Sequence, residues 1–189
     1  SQIVDMGVQY RVHCQTHGWM SWLTDGKTSG TTGEGKRLEA IEVKLTGNRY
    51  YGGISYRTHV QTYGWETKMV SNGAMSGTSG QAKRLEAIEL ELYGEVAYYY
   101  DVYYRVHAQS YGWLGWAKNG ETAGTSGMAK RLEQSRLSLC QRTVIPVSLR
   151  MERKPISKGR QLRTTQHRHR KFWHSVMHSG RQMVLRHFP

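Results

Sequence analysis

The sequence predicts an all-β protein of three repeated units, followed by a basic C-terminal tail. Three observations carry this. One pattern recurs three times: VQYRVHCQTHGWMSWLTDG from Val8, ISYRTHVQTYGWETKMVSNG from Ile54 and VYYRVHAQSYGWLGWAKNG from Val102. Within each copy apolar and polar residues alternate with a period of two, as in a half-buried strand. Each copy ends on Asp-Gly or Asn-Gly, a strong tight-turn signal. The Gly-Trp pairs begin at Gly18, Gly64 and Gly112, and a near-constant period of this length marks a repeat architecture.

The second repeat shows the elements in order. Ile54, Tyr56, Thr58 and Val60 alternate with Ser55, Arg57, His59 and Gln61, which makes a first strand with one inward face. Tyr63-Gly64 turns the chain. A second strand starts at Trp65 and ends at Asn72-Gly73. A Gly/Thr/Ser loop follows, with Gly77 and Gly80 where the backbone needs positive φ. The third strand puts Ile88, Leu90 and Leu92 on one face, and Glu89 and Glu91 on the other as solvated charges. The segment KRLEAIE resembles a helix start, but its continuation keeps the strand period.

A unit of this size with one-sided strands cannot bury its apolar face alone. Two closed threefold arrangements fit: a β-prism of three sheets about an axis, favoured here, and a β-trefoil barrel. A linear array is the open alternative. Three strands per repeat are clear, and the connector LYGEVAYYYD has room for a fourth. The repeats span 8–45, 54–92 and 102–139 within a β unit of 1–139.

The recurring elements Tyr-x-x-His-x-Gln-x-x-Gly-Trp, Asp/Asn-Gly, Ala/Ser-Gly-Thr-Ser-Gly and Arg-Leu-Glu-Ala-Ile resemble the ChW repeat, the clostridial hydrophobic repeat with a marked tryptophan. The resemblance covers about 8–139. It implies a secreted or cell-surface protein of Gram-positive bacteria, with an adhesive or binding role toward carbohydrate or protein.

The polar face of strand one repeats three side chains: Arg11, His13 and Gln15; Arg57, His59 and Gln61; Arg105, His107 and Gln109. Donors and acceptors beside a tryptophan suit sugar recognition, and these nine are candidate ligand contacts. The same residues also suit a cross-strand ladder. Trp19, Trp65 and Trp113 follow the turn glycine and read as core anchors, since a buried tryptophan supplies large apolar area. Trp22 and Trp116 differ, because the corresponding residue of the second repeat is Met69. A position that accepts both types is more easily a surface one, so Trp22 and Trp116 join the candidate ligand contacts. Arg37 with Glu39, Arg84 with Glu86 and Arg131 with Glu133 read as structural ion pairs.

The pattern predicts no enzyme. No histidine has a partnered nucleophile, and three near-equal copies suit multivalent binding better than the asymmetric set of roles a reaction needs. The loop Gly124–Gly127 lacks the Gly-Lys-Ser/Thr ending of a phosphate loop. No Cys/His set has zinc spacing, and no cofactor or metal is expected. Cys14 aligns with Val60 and Ala108 and reads as a small buried residue. No apolar run approaches a membrane span, and no signal-peptide pattern stands at Ser1. The resemblance implies as partners a glycan or a cell-wall or host surface protein.

The charge is concentrated at one end. Formal net charge is +13, yet residues 140–189 hold 12 of the 27 Lys+Arg and one of the 14 Asp+Glu. This tail gives a second functional reading, nucleic-acid binding through QHRHRKFWH at 166–174, with Arg/Lys on phosphates and Trp173 stacked; a third is a structural spacer. The tail composition predicts poor order. The repeat pattern breaks at Gln134-Ser135, where the earlier copies read Ala-Ile. Codons for Gln and Ser, read with one extra G before them, can encode Ala and Ile. Residues from about 134 onward are therefore expected to be an out-of-frame translation.

Overall fold

The computed structural model describes residues 4–143. The chain divides into Ser1–Thr143 and Val144–Pro189, and the basic arm at 166–174 lies outside the described residues. The first unit holds all three repeats.

Each repeat contributes two long strands and three two-residue ones. The first holds β1 (Gly7–Cys14), β2 (Gly18–Trp19), β3 (Leu23–Thr24), β4 (Ser29–Gly30) and β5 (Leu38–Thr46). The second holds β6 (Gly52–Val60), β7 (Gly64–Trp65), β8 (Val70–Ser71), β9 (Ser76–Gly77) and β10 (Leu85–Gly94). A one-turn helix, α1 (Val96–Tyr99), leads to β11 (Tyr100–Ala108), β12 (Gly112–Trp113), β13 (Ala117–Lys118), β14 (Ala123–Gly124) and β15 (Leu132–Gln141). The long strands pair antiparallel within their repeat, as β1 with β5, β6 with β10 and β11 with β15.

The short strand in the glycine loop leaves its own repeat. β9 pairs with β5, β14 with β10 and β4 with β15. Each repeat thus completes a neighbour's sheet, and the last exchange returns from the first repeat to the third. The result is three five-stranded sheets in a closed cycle. Three sheets replace the single barrel of a trefoil, and the cyclic exchange replaces a linear array. The fourth strand comes from the Gly/Thr/Ser loop and not from LYGEVAYYYD, which instead forms the end of β10, α1 and the start of β11. The predicted second strand is split into two short bridges on either side of an irregular segment.

Glycine explains the exchange. Gly30, Gly77 and Gly124 have φ of +114°, +101° and +134°. A Cβ at Gly77 would lie 2.5 Å from the Glu39 carbonyl, and one at Gly30 or Gly124 would collide with the carbonyl of Glu133 or Glu86. Only glycine lets the backbones approach this closely.

The inward faces of all three sheets share one core. Tyr10, Tyr56 and Tyr104 are fully buried there among Val8, Val12, Ile54, Val60, Val102 and Leu137. Cys14, Val60 and Ala108 occupy equivalent buried positions, as expected of a small residue at Cys14. Each tyrosine hydroxyl donates to a carbonyl of its own repeat, Lys27, Ala74 or Glu121. Tyr56 Oη also accepts the Val43 N–H at 3.0 Å, across the boundary between repeats. The turn glycines make the same crossing: Gly73 N–H donates to Val43 O at 2.7 Å, Gly120 to Leu90 O at 2.6 Å and Gly26 to Leu137 O at 2.7 Å. Burial pushes all three tyrosine hydroxyls up to about 12.

Candidate functional site

The outward face of each long hairpin is built by one turn. Gly18, Gly64 and Gly112, at φ near +70°, send the chain back so that Trp19 lies opposite His13, Trp65 opposite His59 and Trp113 opposite His107. Residues directly opposite share a face, so the tryptophans fall on the polar side of strand one. They are half-buried and lie outside the shared core. This corrects the expectation of tryptophan core anchors: the tyrosines fill the interior, and the strand register leaves the tryptophans outside it.

On that face the rings and cations stack. His13, His59 and His107 meet Trp19, Trp65 and Trp113 edge-on, with centroids 5.4, 5.5 and 5.6 Å apart. Arg11, Arg57 and Arg105 lie over the same tryptophans at 4.8, 5.1 and 4.8 Å, within cation–π range. Trp22 and Trp116, both half-buried, extend the stack: Arg11 sits 4.8 Å from Trp22 and Arg105 5.0 Å from Trp116. Lys44 adds a second cation 4.2 Å from Trp22. The second repeat has Met69 there and a smaller cluster.

The third strand supplies the counter-charges. Arg11 Nε donates to Glu42 Oε2 at 2.6 Å and Arg57 Nε to Glu89 Oε2 at 2.8 Å. Glu89 also accepts the Thr122 hydroxyl at 2.6 Å, so it is a paired group and not the solvated charge expected; Glu91 is exposed. In the third repeat the partner is Arg136, which lies 4.7 Å from Trp113. Arg105 Nε is buried without a partner among the described residues, and so is Trp116 Nε1. Burial, and then the charge of Arg136, lower the pKa of Arg105.

The histidines join this face to the arginine–glutamate pairs at the start of the third strand. His13, His59 and His107 place Nδ1 at 2.9, 3.0 and 3.2 Å from Glu39, Glu86 and Glu133, out of line for a hydrogen bond. The other oxygen of each glutamate accepts Nε of Arg37, Arg84 or Arg131 at 2.9 Å. These are the ion pairs expected from the sequence.

The glutamines separate from the rest of the predicted set. Gln15, Gln61 and Gln109 converge with Arg37, Arg84 and Arg131 on a cavity of about 310 Å³. Gln15 Oε1 accepts the Arg37 N–H at 3.5 Å, and Gln61 Oε1 that of Arg84 at 3.3 Å. The structure therefore brings Arg11, His13 and Trp22 together, and likewise Arg57 with His59 and Arg105 with His107 and Trp116, but it places the glutamines elsewhere. Sequence reasoning missed Lys44, Glu42 and the lining role of the three arginines. Pairing strand one against strand three in antiparallel register would have found Glu42, since it stands opposite Arg11. Among the described residues no group of His, Cys, Asp or Glu is arranged to hold a metal ion, and no helix is long and apolar enough to cross a membrane.

Comparison with known proteins adds one relation. The family model described as ChW, Clostridial hydrophobic W, matches residues 13–47, 59–94 and 107–139, together more than half of the chain. Neither the curated proteins nor the solved structures returned a match.

Proposed function

The chain belongs to the clostridial hydrophobic W family as three tandem repeats, and from that premise we propose a non-enzymatic, multivalent binding module for carbohydrate or a surface protein, acting outside the cell. The observation that carries the reading is the Arg–Trp stack repeated at Arg11/Trp19, Arg57/Trp65 and Arg105/Trp113. A guanidinium held over an indole sets N–H donors beside an apolar base. Sugar hydroxyls and peptide carbonyls both accept from such donors, while the ring edge covers apolar C–H surface. Three copies in one compact unit raise avidity for a repetitive ligand such as a polysaccharide or a wall polymer.

A glycan array and titration with purified cell-wall fragments test this on the whole chain. Binding is expected to survive moderate salt and to weaken in a Trp22→Ala/Trp116→Ala variant that still melts cooperatively. Binding that falls steeply with ionic strength would instead point to phosphate contacts through the basic tail. Unchanged affinity in the double variant would remove Trp22 and Trp116 from the reading, and unchanged affinity in a Trp19→Ala/Trp65→Ala/Trp113→Ala variant would remove the Arg–Trp faces.

A further inference from the structure

The cavity at the meeting point of the three repeats has a composition that the outward faces do not share. Its wall is a ring of three glutamines and three arginines, one of each per repeat. Each arginine spends its Nε and Nη2 on a glutamate. The remaining guanidinium nitrogen, Nη1, has no partner among the described residues. Gln15 and Gln61 direct Oε1 to a backbone N–H, so the free end of each amide is the donor, Nε2. The ring therefore offers N–H donors and few acceptors.

Charge around the cavity runs the same way. Each arginine is balanced by its glutamate, but each is preceded by a lysine: Lys36, Lys83 and Lys130. Lys83 Nζ donates to Thr62 Oγ1 at 3.2 Å and Lys130 Nζ to Ser110 Oγ at 3.4 Å, on the residues that follow Gln61 and Gln109. Both lysines thus sit beside the ring with hydroxyl partners and, among the described residues, no carboxylate. Glu34 adds a carboxylate in the first repeat, where it pairs with His17. Small residues leave room inside, since Gly35 and Ala82 line the cavity where longer side chains would fill it.

We propose that this cavity is a binding site for a tetrahedral oxyanion, sulfate or phosphate, as a free ion or as the terminal group of a larger molecule. A tetrahedral oxyanion has a threefold axis along each bond from its central atom. Three arginine–glutamine pairs around one cavity, with the amide orientation fixed at Gln15 and Gln61, can then each serve one oxygen, and the fourth oxygen points along the axis, where an ester bond would continue. The donors are charged or amide N–H groups, the combination that binds such ions most strongly. The site does not depend on the tryptophan faces, so it stands or falls separately from them.

Calorimetric titration of the whole chain with sodium sulfate, sodium phosphate and a monosaccharide sulfate ester tests it. One ion bound per chain is expected. A Gln61→Leu/Gln109→Leu variant keeps every arginine–glutamate pair and is expected to bind at least about tenfold more weakly, the loss of one or two charge-assisted donors. Trp22→Ala is expected to leave this binding unchanged. Preference for the free ions would identify a mobile anion, and tighter binding of the ester would identify an anionic group on a larger molecule; both support the site. Absence of binding by all three probes at millimolar concentration would overturn it. So would equal affinity in the double leucine variant, or a stoichiometry of three, which would place the ions on the outward faces. Arg84→Lys, which keeps the charge and loses the fork geometry, is expected to weaken binding as well, so the conclusion does not hang on one variant folding.

Discussion

Arg105 and Arg136 stand directly opposite each other on β11 and β15, both over the ring of Trp113, where the first two repeats set Arg11 against Glu42 and Arg57 against Glu89. Two like charges share a partly desolvated face, and Arg105 Nε loses the acceptor its counterparts have. Arg136 Nε turns instead to Thr28 Oγ1 at 2.7 Å. Opposed like charges destabilise a strand pair by a few tenths to about 1 kcal/mol, so Arg136→Glu is expected to raise stability by about 1–2 kcal/mol once the restored bond is included. A melting temperature unchanged or lower in Arg136→Glu would refute this.

The same strand carries two buried polar residues where its counterparts are apolar. Gln134 and Ser135 are buried at the positions of Ala40-Ile41 and Ala87-Ile88, and Ser135 Oγ has no partner among the described residues. Ser135→Ile should add about 1–2 kcal/mol of burial. The codon argument behind the expected displaced frame can be extended through this strand. With one G restored after the Glu133 codon, CAA TCG AGG TTA AGC TTR reads GCA ATC GAG GTT AAG CTT, or Ala-Ile-Glu-Val-Lys-Leu, the residues found at 40–45. Sequencing the gene over codons 133–139 is expected to find that set of codons; synonymous codons incompatible with the second frame would sink the reading.

The core tyrosines set an alkaline limit. Tyr10, Tyr56 and Tyr104 have pKa values raised from 10.0 to about 12 by burial. A raised acid favours the protonated fold, so this stability is fully present below pH 10 and is lost as pH rises through 12. Each tyrosine withdraws about 1.4 kcal/mol per pH unit within that window. Denaturant midpoints measured from pH 8 to 12 should hold steady and then fall steeply, and Tyr56→Phe, which itself costs about 1–2 kcal/mol through its two lost hydrogen bonds, should flatten the fall. A pH-independent midpoint would contradict the burial of these hydroxyls.

Tyrosine and tryptophan divide the work differently from the sequence expectation. Tyr104 is fully buried and Trp113 half-buried. Tyr104→Ala should cost about 3–5 kcal/mol by opening a core cavity, whereas Trp113→Ala should cost about 1–2 kcal/mol of half-buried area. Equal losses in paired melting curves would return the tryptophan to the core.

The exchanged glycine strands predict how the repeats are joined. Gly77→Ala forces an alanine into φ +101° and against the Glu39 carbonyl, and should cost more than about 2 kcal/mol. Hydrogen exchange should then show faster opening at Ala40 and Ile41 of the first repeat, although the substitution lies in the second. Loss confined to the second repeat would show that the exchange carries little energy.

Alternation in Ile54–Val60 named the inward residues of strand one correctly, and the three copies named their equivalents, because face along a strand is a local property with a period of two. Asp25-Gly26, Asn72-Gly73 and Asn119-Gly120 likewise marked turns through their own backbone preferences. The outward tryptophans were misread because their face depends on which residue they oppose across the Gly18, Gly64 and Gly112 turns, and that register is not visible one strand at a time.

By itself, then, the sequence determined three all-β copies, their inward faces and their turns, since periodicity and turn chemistry act within a few residues. Only the tertiary structure decided that β4, β9 and β14 complete a neighbour's sheet, and that Gln15, Gln61 and Gln109 leave the Arg–Trp faces for one shared cavity. The physical reason is closure. A two-residue bridge has too little pattern to specify a partner, and residues some 46–48 positions apart converge only when three one-sided units bury their apolar faces against each other.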